Sequence, residues 1–162
     1  MMKRLLLALL TGISLQAFAQ VETPKETPQL EFAMQLKVTV GEAFSCGETG
    51  QGERVVIPIT GGTFEGPKLK GTIMNGGADY QLVNKTLNRT ELEAIYCIKT
   101  DDGVNIHVRN KEIISNGYFK CAPQFEAPSD SKYAWLNNAI FVCSPDWTQG
   151  FKGIVLNVWM VK

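Results

Sequence analysis

The chain has little of what metal and nucleotide sites require. Its 162 residues include one histidine, and none of its cysteines forms a Cys-x-x-Cys pair. Structural and catalytic zinc sites need three or four nitrogen or sulfur ligands at short spacings. The glycine patterns G-x-G-x-x-G and G-x-x-x-x-G-K-[ST] of nucleotide-binding loops are also missing. The sequence therefore predicts a protein with no metal and no cofactor.

An excess of charge of one sign is missing as well. Lys plus Arg and Asp plus Glu number 16 each, and no run of like charge occurs. Nucleic acids and anionic membrane surfaces attract proteins through clustered basic residues. Neither nucleic acid nor a charged membrane surface is therefore expected as a partner.

Long apolar runs are confined to the first 19 residues. Lys3 and Arg4 precede an apolar segment at residues 5–15, and a small-x-small motif ends at Ala19. This is the pattern of a secretory signal peptide, with cleavage predicted between Ala19 and Gln20. No later stretch approaches the ~18 apolar residues of a membrane-spanning helix. We expect a periplasmic or secreted protein without membrane contact after cleavage, its charges then 14 basic against 16 acidic.

Four cysteines lie in the part of the chain that follows the signal peptide: Cys46, Cys97, Cys121 and Cys143. An even number of cysteines in an exported protein favours disulfide bonds. Four cysteines allow three pairings, and the sequence does not choose among them.

Helical periodicity is also scarce, and alternating apolar and polar residues dominate. Residues 20–29 contain two prolines and are predicted to form a flexible leader, and residues 30–162 form one domain. Residues 41–52 are predicted to be a loop. The alternation predicts eight or nine strands and no helix. These strands are Leu30–Val40, Arg54–Thr60, Lys68–Met74, Tyr80–Val83, Thr90–Thr100, Val104–Asn110, Phe119–Phe125, Tyr133–Cys143 and Ile154–Val161.

Glycine is abundant in the segment Ile57–Gln81, which holds six of the 15 glycines. Glycines spaced through a strand pattern mark bulges and bends at sheet corners. Strands at this spacing form a sandwich or a barrel, and repeated glycine bends favour the barrel. We therefore predict an all-β fold, a closed antiparallel barrel of about eight strands.

A tight turn at residues 101–103 predicts a hairpin with two different faces. One face carries Ala94, Tyr96, Ile98, Val104, Ile106 and Val108. The other carries Ile95, Cys97, Lys99, Asn105, His107 and Arg109. Either face can line a small barrel, since such interiors are packed with apolar side chains or hold a polar ligand cavity.

Three motifs in this order resemble a known family. They read IPITGGTFEGPKLKGTIMNGGADYQ (Ile57–Gln81), YCIKTDDGVNIHVRN (Tyr96–Asn110) and YAWLNNAIFV (Tyr133–Val142). The chain resembles the domain-of-unknown-function family 3237, also called UPF 0311, over roughly residues 32–161. The resemblance implies an antiparallel β-barrel akin to allene oxide cyclase and dirigent proteins, often a homo-oligomer. It supplies no established activity.

Two polar groups are candidates for chemistry. Asp79, Tyr80 and Gln81 follow a glycine pair, where a carboxylate can act as a general base or close an Asx turn. Arg109 and Asn110 end the hairpin. A guanidinium group there binds a carboxylate or phosphate ligand, or pairs with a structural carboxylate from Asp101, Asp102 or Glu93.

The remaining candidates are mostly aromatic. Tyr96, Tyr133, Trp135 and Asn137 have polar tips that suit either a pocket for a flat ligand or a barrel core. His107 lies between two apolar residues, and no motif provides it with a nucleophile, so a catalytic dyad is unsupported.

Three functions are consistent with these features. The first is an exported barrel that binds a small apolar or aromatic ligand through Tyr80, Gln81, Arg109, Asn110, Tyr133, Trp135 and Asn137. The second is a cofactor-independent isomerase, cyclase or lyase in which Asp79 or Tyr96 transfers a proton and Arg109 holds the substrate. The third is a structural or assembly subunit.

Overall fold

A computed structural model describes residues 24–147 and 150–162 of the chain. The predicted signal peptide and the first residues of the predicted leader, 20–23, lie outside the described residues. Ten strands and one short 3₁₀ helix, Ala134–Asn138, form the domain. The strands are β1 (Leu30–Val40), β2 (Phe44–Thr49), β3 (Gly52–Glu65), β4 (Lys70–Ile73), β5 (Gly77–Asn84), β6 (Arg89–Thr100), β7 (Asn105–Ser115), β8 (Tyr118–Glu126), β9 (Phe141–Asp146) and β10 (Ile154–Val161). No described helix has the length and apolarity that crossing a membrane requires.

The sheet closes on itself as the predicted barrel, and all of its pairings are antiparallel. The strand order runs β1, β10, β9, β8, β7, β6 and then β4 and β5, which both pair with β3 and β6. β3 pairs in turn with β1 and completes the circle. Because β4 and β5 share one position, the barrel has eight positions, and β2 lies outside it as a hairpin partner of β3.

β3 bends in its middle, and glycine permits the bend. Its register against β1 shifts between Thr39 and Val40, opposite Gly61 and Ile59. Gly62 has a φ of +133°, and a Cβ atom there would overlap the carbonyl oxygen of Lys37. A glycine is needed at this close backbone approach. The bend lets one strand pair with β5 along its first half and with β1 along its second half.

One end of the barrel interior is filled with apolar side chains. The largest of these have at most 2% of their surface exposed: Met34, Leu36, Ile98, Ile106, Val108, Leu136, Phe141 and Val158. Most of them lie near the β6–β7 turn, and the 3₁₀ helix contributes Leu136. The inward face of the β6–β7 hairpin is therefore the apolar one that carries the Tyr96 hydroxyl. The face with Cys97 and His107 points outward.

Two local predictions were wrong. Phe44–Thr49 forms β2, although residues 41–52 were predicted to be a loop, because the edge of β3 provides backbone partners for a short exposed strand. Tyr133–Cys143 is not one strand, because its first half forms the 3₁₀ helix. The strand prediction relied on the spacing of two among Tyr133, Trp135 and Asn137, whereas the buried Tyr133 and Leu136 are three residues apart, which is the 3₁₀ period.

A disulfide bond joins Cys121 of β8 to Cys143 of β9, with their Cα atoms 4.8 Å apart. Both residues are buried. Cys46 is exposed, Cys97 is half-buried, and both are free thiols. The structure thus contains one disulfide bond, and two of the four candidate cysteines do not take part in it.

Replacing Gly62 tests whether the bend in β3 requires glycine. We expect Gly62→Ala to lower the free energy of unfolding by at least about 2 kcal/mol, because the methyl group meets the Lys37 carbonyl and φ is unfavourable. Denaturant unfolding measures this difference.

Gly50→Ala is the matched control, since nothing lies within 4 Å of a Cβ atom at Gly50. It should change the unfolding free energy by less than about 0.5 kcal/mol. Equal effects of the two substitutions would contradict the role given to Gly62.

Candidate functional site

The inward positions of β5, β6 and β7 carry a group of polar side chains inside the barrel. Asp79 and Gln81 in β5 are two residues apart and share a face, as do Asn110 and Glu112 in β7. The register places Ala94 of β6 between Asp79 and Asn110. Because alanine is small, it leaves space in the wall between these two polar side chains.

Each of the two carboxyl groups is held by an amide from its own strand. Gln81 Nε2 donates a hydrogen bond of 2.7 Å to Asp79 Oδ2. Asn110 Nδ2 donates one of 2.7 Å to Glu112 Oε1. Asp79 Oδ1 and the Tyr96 hydroxyl oxygen are buried and have no hydrogen-bond partner in the described part of the chain. Buried polar atoms are normally paired, so these two are free to contact a bound molecule.

Burial changes the acidity of all three ionisable groups. Burial, and then the negative charge of Asp79, raise the pKa of Glu112 to about 8 against the opposing effect of the Asn110 hydrogen bond. Burial likewise raises the pKa of Asp79, against its bond from Gln81. The pKa of Tyr96 lies above its ordinary value, through burial and then the charge of Glu112. At neutral pH, Glu112 therefore holds a proton it can donate, which makes Asp79 the candidate base.

These polar groups line a cavity of about 280 Å³. Its remaining wall is apolar and comes largely from β1, β3 and β10, and no Lys, Arg or His is among its described lining residues. The apolar lining is Val38, Val40, Ile57, Ile59, Leu92, Ala94, Ile114, Phe119, Trp147, Ile154 and Leu156. The cavity thus has one polar wall and offers no positive charge to an anionic ligand.

Two aromatic side chains stand where the cavity meets solvent. Trp147 follows β9 and is 72% exposed although it lines the cavity. Its ring centroid lies 5.9 Å from that of Phe119 in β8. An exposed indole beside a second ring provides a flat apolar surface for a ligand that enters.

A larger depression of about 790 Å³ lies against the outside of the barrel. Its wall mixes charges of both signs with tyrosines, including Tyr80, Tyr118, Lys111 and Glu93, and it also reaches Glu112. Residues that alternate with the cavity residues along β5 to β8 form most of it. We place the site in the inner cavity, because both carboxyl groups line that space.

The predicted site residues separate into two groups. Asp79, Gln81, Tyr96 and Asn110 come together in the cavity. Tyr80 points the other way and is 44% exposed on the outer face.

Arg109 and His107 also lie on the outer face. Arg109 Nε donates to Glu93 Oε1 at 2.7 Å, an exposed structural pair that the sequence had offered as an alternative to ligand binding. His107 Nδ1 lies 3.7 Å from Glu126 Oε1. The structure therefore does not bring Arg109 into the cavity, although the sequence predicted that it holds the substrate.

Tyr133, Trp135 and Asn137 lie at the 3₁₀ helix, toward the filled end of the barrel, and are not among the described residues lining the cavity. The Tyr133 hydroxyl donates to Asp102 Oδ1 in the β6–β7 turn at 2.8 Å. Trp135 packs on Phe141 with ring centroids 6.0 Å apart. Asn137 accepts from the backbone N–H of Ala127 and donates to its carbonyl oxygen. All three contacts hold the helix against the barrel.

Sequence reasoning missed Glu112. The predicted strand ended at Asn110, whereas β7 continues to Ser115. Extending the alternation by one step from Asn110 places Glu112 on the same inward face. The signal was a carboxyl group at an inward position of a strand, which is rare unless the group is paired or functional.

Comparison with known proteins identifies similar chains. The family model described as "Protein of unknown function (DUF3237)" matches residues 28–116 and 111–161. A UPF0311 protein of Rhodopseudomonas palustris is 33% identical over 138 residues, 73% of this chain and 89% of its own length. The "Hydroalkoxylation enzyme phnH" of Penicillium herquei is 32% identical over 138 residues, covering 85% of each chain.

Solved structures agree with the barrel. The crystal structure of the R. palustris protein, described as of unknown function, superposes with a TM-score of 0.77 at 30% identity and covers 86% of this chain and all of that one. A β-barrel-like protein of Acinetobacter baumannii gives a TM-score of 0.75 at 30% identity, with 87% and 100% coverage.

The raised pKa of Glu112 predicts how stability depends on pH. Between about pH 4.5 and pH 8 the folded protein keeps a proton on Glu112 that the unfolded chain has lost. The free energy of unfolding should therefore fall as pH rises through this range, by up to roughly 4 kcal/mol. Denaturant unfolding at several pH values measures the slope, and Glu112→Gln should remove most of it.

Glu91→Gln is the control, because the Glu91 side chain is exposed and pairs only with Arg89 on its own strand among the contacts described. Carboxyl groups whose pKa is lowered in the folded protein, such as Glu93, change the free energy of unfolding only below this pH range, so they do not affect the comparison. Parallel curves for the unaltered protein and Glu112→Gln would contradict the buried, protonated state.

Proposed function

The chain belongs to the DUF3237 family of β-barrel proteins. From this premise we propose that it binds a small neutral molecule in the barrel cavity. We propose further that it catalyses an internal addition or isomerisation of that molecule by proton transfer, without a cofactor. The observation that carries the proposal is the pair of carboxyl groups, Asp79 and Glu112, on one wall of an otherwise apolar cavity. Such a pair supplies a base and an acid in the same space.

The reaction we propose adds a hydroxyl group of the ligand across one of its own carbon–carbon double bonds. Asp79 takes the hydroxyl proton while the oxygen forms a bond to carbon. Glu112 gives its proton to the neighbouring carbon, so the product is an isomer of the substrate. The Tyr96 hydroxyl donates a hydrogen bond to a carbonyl oxygen conjugated with the double bond, where negative charge develops. A proton exchange through solvent restores the two carboxyl groups.

The family supports this class of reaction. One relative of similar length is named a hydroalkoxylation enzyme, a name that denotes addition of an alcohol O–H across a double bond. Such an addition needs proton transfer and orientation rather than a redox group. The cavity supplies the orientation through its close apolar walls, which hold the reacting ends of one molecule together.

The lining of the cavity defines the ligand class. Two carboxyl groups without a facing cation disfavour carboxylates and phosphates. The apolar wall and the Trp147–Phe119 pair favour a flat aromatic body. We propose a neutral aromatic molecule that carries a phenolic or alcoholic hydroxyl group.

We also propose that the protein works outside the cytoplasm. The signal-peptide pattern of residues 1–19 supports export, and the Cys121–Cys143 bond is of a kind that persists in oxidising compartments.

Binding of matched probes tests the ligand class. We expect a naphthol to bind and to quench Trp147 fluorescence, and a naphthoate of the same ring system to bind at least about tenfold more weakly because its charge faces two carboxyl groups. Titration calorimetry and fluorescence measure both affinities.

Ala94→Leu fills the space between Asp79 and Asn110 and should abolish naphthol binding. Arg109→Ala, on the outer face, is the control and should leave binding unchanged. Equal binding of the neutral and anionic probes would argue against the proposed ligand class.

Turnover of a model substrate tests the chemistry. An ortho-hydroxyphenyl propenyl ketone closes to a chromanone by the proposed addition, which absorbance follows directly. We expect Glu112→Gln and Asp79→Asn each to lower kcat/KM by about 10²–10⁴-fold. The rate should also decline above about pH 8, where Glu112 loses its proton.

Arg109→Ala again serves as the control and should keep full activity. Undiminished turnover in both carboxyl variants would exclude the acid–base assignment. If the unaltered protein binds the ketone but closes it no faster than Glu112→Gln does, ligand binding alone is the function.

A further inference from the structure

The weakest seam of the barrel lies beside Glu112. Among the described residues, β8 and β9 pair at one position, Cys121 with Cys143. The neighbouring ladders are much longer, with nine residue pairs between β7 and β8 and six between β9 and β10. Side-chain contacts also join the two strands, among them the Lys120 Nζ–Ser144 Oγ hydrogen bond of 3.2 Å and the Phe125–Phe141 ring pair, and the disulfide is the covalent link across this seam.

The disulfide and Glu112 lie in one row across the sheet. Glu112 is directly opposite Cys121, and Cys121 is directly opposite Cys143. Opposing side chains on one face of a sheet are neighbours, with Cβ atoms about 4.5–5.5 Å apart. The carboxyl group that we assign as the acid thus sits next to the cross-link.

Asn110 connects the two groups. Its side chain is 1% exposed, and its Nδ2 donates to Glu112 Oε1 at 2.7 Å. Its Oδ1 lies 3.9 Å from Cys143 Sγ. A disulfide sulfur carries no hydrogen, so this contact is packing rather than a hydrogen bond, and it limits the space into which the amide can turn.

We propose that Asn110 is a positioning residue for Glu112 and that the Cys121–Cys143 disulfide holds Asn110 in place, so that reduction of the disulfide releases the Glu112 carboxyl group. The significance for catalysis rests on the proposed function, in which Glu112 is the acid. The positioning itself is a property of the protein without substrate.

The chemistry of release is ordinary thiol–disulfide exchange. A dithiol supplies two electrons and two protons, the Cys121–Cys143 bond breaks, both sulfurs become thiols, and the dithiol is oxidised to its own disulfide. Cys121 forms part of the wall of the outer depression, which is the side of approach for the reductant. After reduction, one backbone pairing remains between the described parts of β8 and β9, and the new Cys143 thiol can donate to Asn110 Oδ1.

The test reads the titration of Glu112 by NMR in protein labelled with ¹³C at the glutamate side-chain carboxyl. Cys46→Ser and Cys97→Ser in the background leave one reducible pair. The ionisable groups that face Glu112 are Asp79 on β5 and Tyr96 on β6, whereas β8 faces it with Cys121. Glu112→Gln assigns the signal, and dithiothreitol is the dithiol.

With the disulfide intact we expect a midpoint near pH 8. Reduction should lower the midpoint by at least about one pH unit, because water reaches the carboxyl group through the opened seam. The Asn110 side-chain amide protons should also exchange with water at least about tenfold faster. An unchanged midpoint and unchanged exchange, with both thiols confirmed by alkylation and mass spectrometry, would overturn the proposal.

A second variant decides the outcome if reduction unfolds the chain. Asn110→Leu keeps the branched outline of the side chain and the disulfide but removes the amide donor, so the midpoint of Glu112 should rise above that of the parent. Asn105→Leu, at an exposed position of the same strand, is the control and should not move it. An unchanged midpoint in Asn110→Leu would refute the positioning role. None of these readouts needs a substrate, so the result is independent of whether the proposed reaction occurs.

Discussion

The pairing of β1 with β3 closes the sheet, and the polar interior depends on that closure. An eight-position barrel has an interior just wide enough to be filled by side chains or to hold one small ligand. Here the end near the β6–β7 turn is packed, and the other end holds a cavity. Without closure, Asp79 and Glu112 would face water and keep ordinary acidity. Desolvation inside the closed sheet makes them chemically different from surface carboxyl groups.

Burying two carboxyl groups lowers the free energy of unfolding, and hydrogen bonds from nearby amide groups make this loss smaller. Gln81 and Asn110 each satisfy one oxygen of their partner, which recovers part of the lost hydration. Asp79 Oδ1 and the Tyr96 hydroxyl have no hydrogen-bond partner among the described residues. A chain selected for stability alone would place apolar residues at these positions. The buried polar groups at these positions are the feature on which the proposed function rests.

Strand alternation and glycine spacing were enough to predict the closed barrel and the exact limits of β1 and β10. They also indicated Asp79, Gln81, Tyr96 and Asn110, which the register of β5 to β7 brings together. They could not indicate which hairpin face is inside, because both faces suit a small barrel. They missed Glu112 because β7 continues past Asn110. They misplaced Tyr133 because they followed the spacing of two among polar-tipped residues, whereas the buried Tyr133 and Leu136 are three residues apart. Disulfide choice depends on distances between strands that are remote in sequence.

The two walls of the cavity come from different parts of the chain. The polar wall is built by consecutive strands within residues 77–115, whereas the facing apolar wall draws on β1, β3 and β10 near the two ends of the domain. Substitutions at the ends of the domain can therefore reshape the cavity while Asp79 and Glu112 stay where they are. A lineage with this architecture can change the shape of the cavity and its acid–base groups by separate mutational routes.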